Sequence, residues 1–208
     1  MDNPRVTLVP AQFDAINEMA MSMKEAFDAA DREGEDNPGL TELIEPDRLM
    51  SHAAEHCLER MQTRGTFYPM MALLSRRCLQ VMMLAGGVPQ APVEQIMIAT
   101  ALRVLIATTS MEAYWLASEV WLAEPSNDPA VQRLQPRQRE DKREGLAIVT
   151  ATPAVYRVRM FETVRGADGK ASDLREMDGT PRFGNPVLQD LFQGRDKLRE
   201  KARAKMSR

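Results

Sequence analysis

The chain has only two histidines, His52 and His56. They stand four residues apart in the string His52-Ala53-Ala54-Glu55-His56. Positions four apart share a face of a helix, so two imidazoles at this spacing can bind one zinc ion. Glu55, close by on the same helix, has the chemistry of a general base for a metal-bound water. Such a site needs a further ligand from elsewhere. The spacing assigns none; Glu94 and Glu112 are the carboxylates to hand. The competing expectation is that both imidazoles line the polar edge of an amphipathic helix, with no cofactor and no catalytic residue.

The five residues resemble the H-x-x-E-H signature of inverted zinc hydrolases, the inverzincins. The resemblance implies a metal-dependent hydrolase with His52 and His56 as ligands and Glu55 as base. A zinc-deaminase reading of the same stretch is rejected, because Cys78 stands alone where a P-C-x-x-C pair is required. Cys57 follows His56 directly, but sequence neighbours on a helix point about 100° apart, so a nucleophilic pair is not expected there.

Other side chains point to binding. Read as a strand, Glu112 to Ala123 places Trp115 and Trp121 on one face with Glu119, a candidate surface for a protein partner or for self-association. Arg157 and Arg159 alternate outward on another strand and suit an acidic partner, for which the acidic N-terminal helix of this chain or of another subunit is available; the competing expectation is an exposed sheet face. From Arg195 to Arg208 the chain carries seven basic residues against Asp196 and Glu200. A tail of that kind can contact phosphates without reading sequence. It has no aromatic residue after Phe192 to stack a base, which argues against single-strand recognition. Met70-Met71 and Met82-Met83 are expected to fill gaps in the core.

Composition narrows the classes. The chain has 208 residues, 44% hydrophobic and 27% charged, with a net charge of −3. The pI is about 5.6, so overall charge makes no case for nucleic acid or an anionic membrane. There is no G-x-x-x-x-G-K-[ST], no G-x-G-x-x-G and no G-x-S-x-G, which argues against nucleotide hydrolysis, dinucleotide binding and an esterase elbow. Two cysteines are too few for a disulfide scaffold. Reduced core thiols in a cytoplasmic protein are expected, with a single disulfide as the alternative. The opening MDNPRVTLVPAQF has no basic region followed by an apolar run, so no signal peptide is expected. The longest nearly uncharged region is interrupted by Glu94, Arg103, Glu112 and Glu119, so no membrane span is expected.

The elements that must position these residues follow from periodicity and turn chemistry. Phe13, Ile16, Ala20, Met23 and Phe27 recur at helical steps from Pro10 to about Asp31. Arg32 to Gly39 reads as a linker. Leu49, Ala53, Cys57 and Met61 stripe a second helix from Pro46 or Asp47 to Thr63, closed by Gly65. Phe67 to Leu74 and Leu79 to Leu84 fit a hairpin. Val93 to Thr108 is apolar nearly all round and reads as a helix buried on more than one side. After the Glu112–Ala123 strand and a proline-bearing loop come strands at Gly145–Thr152 and Val155–Val164. The Asp168-Gly169 turn then leads to an edge strand over Ala171–Met177. Asn185 and Pro186 open a last helix that enters the basic tail.

The expected fold class is α+β, in the order α-α-β-β-α-β-β-β-α. It has a mainly antiparallel five-stranded sheet and helices packed on one face. Residues 1–45 are an acidic helix and linker, 46–180 the core domain, and 181–208 the C-terminal helix and tail. The stretch from Asp14 to Asp47 holds eleven acidic residues against Lys24 and Arg32, as expected of a solvated terminal element.

The block from His52 to Met177 resembles small uncharacterised α+β proteins of bacteria and their phages. The residues that carry the likeness are the helix end ERMQTRG, the strand WLASEVW, the P-S-x-D-P loop and the charged entry REDKREG. The resemblance implies a protein of phage or mobile-element type and supplies no activity. The leading expectation is a non-enzymatic interaction or accessory protein acting through the tryptophan face or the charged termini. The alternatives are the zinc hydrolase at 52–56 and a nucleic-acid-associated factor using the tail.

Overall fold

Much of the core comes from the nearly uncharged stretch between Phe67 and Ala123, whose residues Met70–Leu74 and Ala113–Ala117 are buried. In the computed structural model the structure describes residues 10–65, 67–83, 92–123, 126–134, 136–178, 190–192, 195–197 and 200. Helices α1 (Pro10–Glu33), α2 (Pro38–Leu43) and α3 (Pro46–Arg64) precede a hairpin of β1 (Met70–Leu74) and β2 (Leu79–Met83). Helix α4 (Pro92–Thr108) leads into β3 (Ala113–Leu122). A short α5 (Pro129–Gln132) and a 3-10 turn at Pro136–Gln138 precede β4 (Arg143–Ala151), β5 (Tyr156–Arg165) and β6 (Ala171–Glu176).

The strands make one sheet in the order β2-β1-β3-β4-β5-β6, and every neighbouring pair is antiparallel. The sheet therefore has six strands, against the five of the expected order. The arm after the Asp168-Gly169 turn is the edge strand expected there, β6, paired with β5. Gly169 takes a φ of 77°, the left-handed conformation that favours glycine in such a turn. Glu112–Ala123 is a strand and not an extension of α4. Thr109 turns its hydroxyl back onto the carbonyl of Leu105 at 2.9 Å as the helix ends.

Helices cover both faces of the sheet, where one covered face was expected. Met71, Leu73, Tyr114, Leu116 and Val149 meet Leu102, Leu105 and Ile106 of α4 and Phe27 of α1. Their strand neighbours Met70, Ala72, Trp115 and Ile148 turn the other way and meet Leu49, Ala53, Cys57 and Met61 of α3. Strands buried on both faces read as continuous apolar runs, and MMALL and GLAIVTA are such runs. The alternation in β5 belongs to a strand nearer the margin of the sheet and does not extend to its centre. Each large apolar side chain fully buried in these layers contributes about 1.5–3 kcal/mol.

Helix α4 lies between α1 and the sheet, as its all-round apolarity requires; Ala101 faces Ile16 and Ala20 of α1. The end of α1 is clipped to the sheet by Asp31, which accepts hydrogen bonds from the hydroxyls of Ser75 and of Ser110, the latter at 2.7 Å. Part of the expected linker is helical. Asn37 caps α2, with its Oδ1 accepting from the Gly39 N–H at 2.9 Å and Pro38 in the first turn. The last helix expected from Asn185 falls largely outside the described residues; 195–197 and 200 are helical. Among the described residues no helix is long and apolar enough to cross a membrane.

Candidate functional site

The histidine pair sits where helical spacing puts it, on one side of α3. The ring centroids of His52 and His56 are 6.2 Å apart, and both side chains are partly buried. His56 lies against Trp115, centroid to centroid 5.6 Å. Both Nε2 atoms are buried and have no hydrogen-bond partner among the described residues. Burial lowers the pKa of His56 below its ordinary value, helped by the positive charge of Arg60 and by His52. Glu55 is exposed on another side of the helix. Among the described residues no group of three histidine, cysteine or carboxylate side chains comes together to hold a metal. Neither Glu94 nor Glu112 joins the pair; Glu112 is bound to Arg76 at 3.1 Å.

Cys57 and Cys78 are free and buried, on opposite faces of the sheet. Burial pushes the Cys57 thiol far up, away from thiolate chemistry.

Arg157 and Arg159 stay partly exposed and are ion-paired within the chain. Arg157 pairs with Asp47 in the first turn of α3, and Arg159 with Glu176 on β6 at 3.0 Å. An acidic partner was expected for them, and it is found on the chain itself. These pairs tie the start of α3 to the margin of the sheet.

The two tryptophans point to the same sheet face, but they do not form one exposed surface. Trp115 is 0% exposed under α3, whereas Trp121 is 45% exposed beyond the end of that helix. The reason is the length of α3, which covers the near half of β3 and leaves the far half open.

A cleft of about 250 Å³ opens at that far half, lined by Glu119, Val120, Trp121, Arg137, Glu144, Gly145 and Thr163. The register pairs Trp121 with Glu144 and Glu119 with Leu146, so the two carboxylates are diagonal neighbours across β3 and β4. Glu144 is held by Arg165, Nε to Oε2 at 2.7 Å. Glu119 has no ion pair among the described residues. Lost hydration raises its pKa, and the nearby charge of Glu144 adds to the effect. Lys142 places its ammonium 5.5 Å from the Trp121 ring centroid and donates to the carbonyl of Arg137 at 3.2 Å. The Thr163 hydroxyl is buried with no partner among the described residues. The sequence places Glu119 with Trp121 through alternation. It gives no sign of Glu144, Arg137 or Thr163, which arrive through register and loop path.

The sheet margins are a second surface of interest. Edge strand β6 (ASDLRE) carries Asp173, Arg175 and Glu176, and its register with β5 is interrupted at Val164/Arg165. Edge strand β2 (LQVMM) has no charge and a regular five-residue ladder to β1. Met82 packs into the core, but Met83 is 58% exposed, so the second methionine pair is only half core. Tyr68 is 55% exposed, and Val81 is also open to solvent. Among the described residues no strand lies beyond β2. The expected phosphate contacts fall mostly on residues outside the described ones, and Arg195 instead stacks over Phe192.

No family model, curated protein or solved structure matches this chain.

Proposed function

We propose that this chain is a non-enzymatic interaction protein that associates with a second copy of itself along edge strand β2. The observation that carries the reading is the contrast between the two sheet margins. Natural edges are guarded by charge, bulges or cover, because a row of free backbone N–H and C=O groups recruits another strand. The β6 margin is guarded by charge and an irregular register, and β2 has neither device.

A second copy is the occupant that suits this edge. Antiparallel pairing of β2 with itself about a two-fold axis at Val81 sets Leu79 opposite Met83 and brings no like charges together. The axis stands normal to the sheet, so Tyr68, Val81 and Met83 of both copies join into one apolar strip on the α3 side. Backbone hydrogen bonds supply the affinity and the strip adds buried apolar area.

Light scattering up to about 1 mM detects any pairing worth more than about 4 kcal/mol. The expected result is a dimer that becomes a monomer in Val81→Lys and in Met83→Lys, each with the circular dichroism of the parent. A monomeric parent, or a dimer indifferent to both substitutions, would sink the reading.

One observation favours a second reading, a metal-dependent hydrolase with His52 and His56 as ligands: their two buried, unpartnered Nε2 atoms on one helix face. Zinc of about one equivalent in protein purified without added metal, lost in His52→Ala, would support it, since ligand affinity survives purification at structural and catalytic sites. A metal content unchanged by that substitution would end it.

A further inference from the structure

We propose that the cleft at the end of β3 binds an ammonium group, from a free alkylamine or from a lysine side chain of another polypeptide, between the Glu119 carboxylate and the Trp121 ring. The proposal does not depend on β2, which lies at the margin of the sheet beyond β1.

Three observations converge. The first is that the protein already brings an ammonium to this aromatic face. Lys142 stands 5.5 Å from the ring centroid, within the range in which the negative face of an indole attracts a cation. Lys142 approaches from the rim, held by the Arg137 carbonyl, and is an internal stand-in for the ligand.

The second is the division of charge. Of the two cleft carboxylates, Glu144 is satisfied by Arg165, while Glu119 has no ion pair among the described residues. Partial loss of hydration and the like charge of Glu144 raise the Glu119 pKa, against the Phe67 backbone N–H that it accepts from and the more distant Arg165. A cation placed beside Glu119 relieves both penalties. Among the described residues that line the cleft, Arg137 is the cation. It opposes a bare cation, and it offers a donor to a carbonyl or carboxylate at the other end of a ligand.

The third is size. A cleft of about 250 Å³ takes a short alkyl chain with its ammonium and falls below the ~300–1,000 Å³ of sites for larger ligands. The unpartnered Thr163 hydroxyl supplies a hydrogen-bond acceptor on the same wall.

The chain has two tryptophans, so a proton–nitrogen correlation spectrum shows two indole signals, and Trp121→Phe identifies the relevant one. The probes are butylammonium, N-acetyl-lysine methylamide and the same lysine amide acetylated on its side chain. The expected result is a saturable shift of the Trp121 indole with either charged probe and none with the acetylated one. Glu119→Gln weakens binding at least tenfold, and Lys142→Ala strengthens it by removing the internal competitor. Equal binding of both charged probes assigns the site to amines in general; binding of the lysine amide alone assigns it to a polypeptide lysine. The proposal fails if no probe shifts the signal. It also fails if the acetylated probe acts as well as the charged ones, or if Glu119→Gln binds like the parent. Glu119 is exposed and makes no core contact, so its substitution leaves the fold intact for the comparison.

Discussion

The imidazole of His56 lies against the indole of Trp115, with centroids 5.6 Å apart and planes inclined by 50°. The contact joins the middle of α3 to the centre of the sheet in a place without water-facing surface for the Trp115 ring. Protonating His56 there would bury a charge beside Arg60 and His52. Its folded pKa is therefore lower than the ordinary 6.5, while the unfolded chain keeps the ordinary value. Between the two values the unfolded state binds more protons, so stability falls as pH drops below 6.5 and levels off once the folded form titrates too. Urea unfolding between pH 7.5 and 5 should show this slope, and His56→Gln should flatten it. A slope unchanged in the variant would assign the effect to other groups.

Phe27 anchors α1. It is fully buried between α4 and the sheet, whereas Phe13 on the same helix is half exposed. Phe27→Ala should cost about 3–5 kcal/mol, in the range for an aromatic core truncation. Phe13→Ala should stay within about 0.5 kcal/mol. Equal effects in equilibrium unfolding would contradict the arrangement of α1 on α4.

Gly34 marks the closest approach of the α1–α2 connection to the β1–β2 turn. A Cβ there would stand 2.4 Å from the Arg77 carbonyl oxygen and 3.0 Å from its carbon, both backbone atoms that cannot rotate away. Gly34→Ala should destabilise by about 1–3 kcal/mol, as overpacking does. The same substitution at Gly39, where only the Asn37 side chain is near, should cost less. Thermal unfolding of the two variants side by side measures the difference.

The segment at 190–192 closes the α4 face. Leu191 and Phe192 are buried, Phe192 stacks on Tyr114 with centroids 5.5 Å apart, and the Leu191 N–H donates to the Tyr114 hydroxyl at 3.0 Å. Truncation before Asp190 should therefore destabilise the domain. Phe192→Ala should reproduce most of that destabilisation, costing about 3–5 kcal/mol. Tyr114→Phe should cost about 1–3 kcal/mol by leaving a buried N–H without its acceptor. A truncated chain as stable as the full one would overturn the docking.

Much of the architecture is legible in local patterns. The stripe Leu49, Ala53, Cys57, Met61 with Gly65 after it specifies α3, and Gly65 adopts the left-handed φ of 74° that such an end uses. Asp168-Gly169 specifies its hairpin for the same kind of reason. The aromatic strand at Ala113–Leu122 follows from its residue types and from the break at Thr108 to Ser110. Less legible is what each polar residue meets. An acidic partner for Arg157 and Arg159 within the chain is one of the readings the sequence allows, but nothing within a few positions reveals that it is Asp47 of α3, 110 residues before Arg157, and not the N-terminal helix. Trp115 and Trp121 have equal claims as binding residues until the length of α3 decides which one it covers.

Most element types, the two faces of each strand and the core residues follow from periodicities of two and 3.6 residues and from single turn positions; the short helix α2, expected as linker, is the exception. No local pattern shows that helices cover both sheet faces, that β2 is the margin opposite β6, or that Glu144 joins Glu119 and Trp121 in one cleft. Those facts depend on strand register and on how layers stack. Both are non-local, since they are set by contacts between residues far apart in the chain.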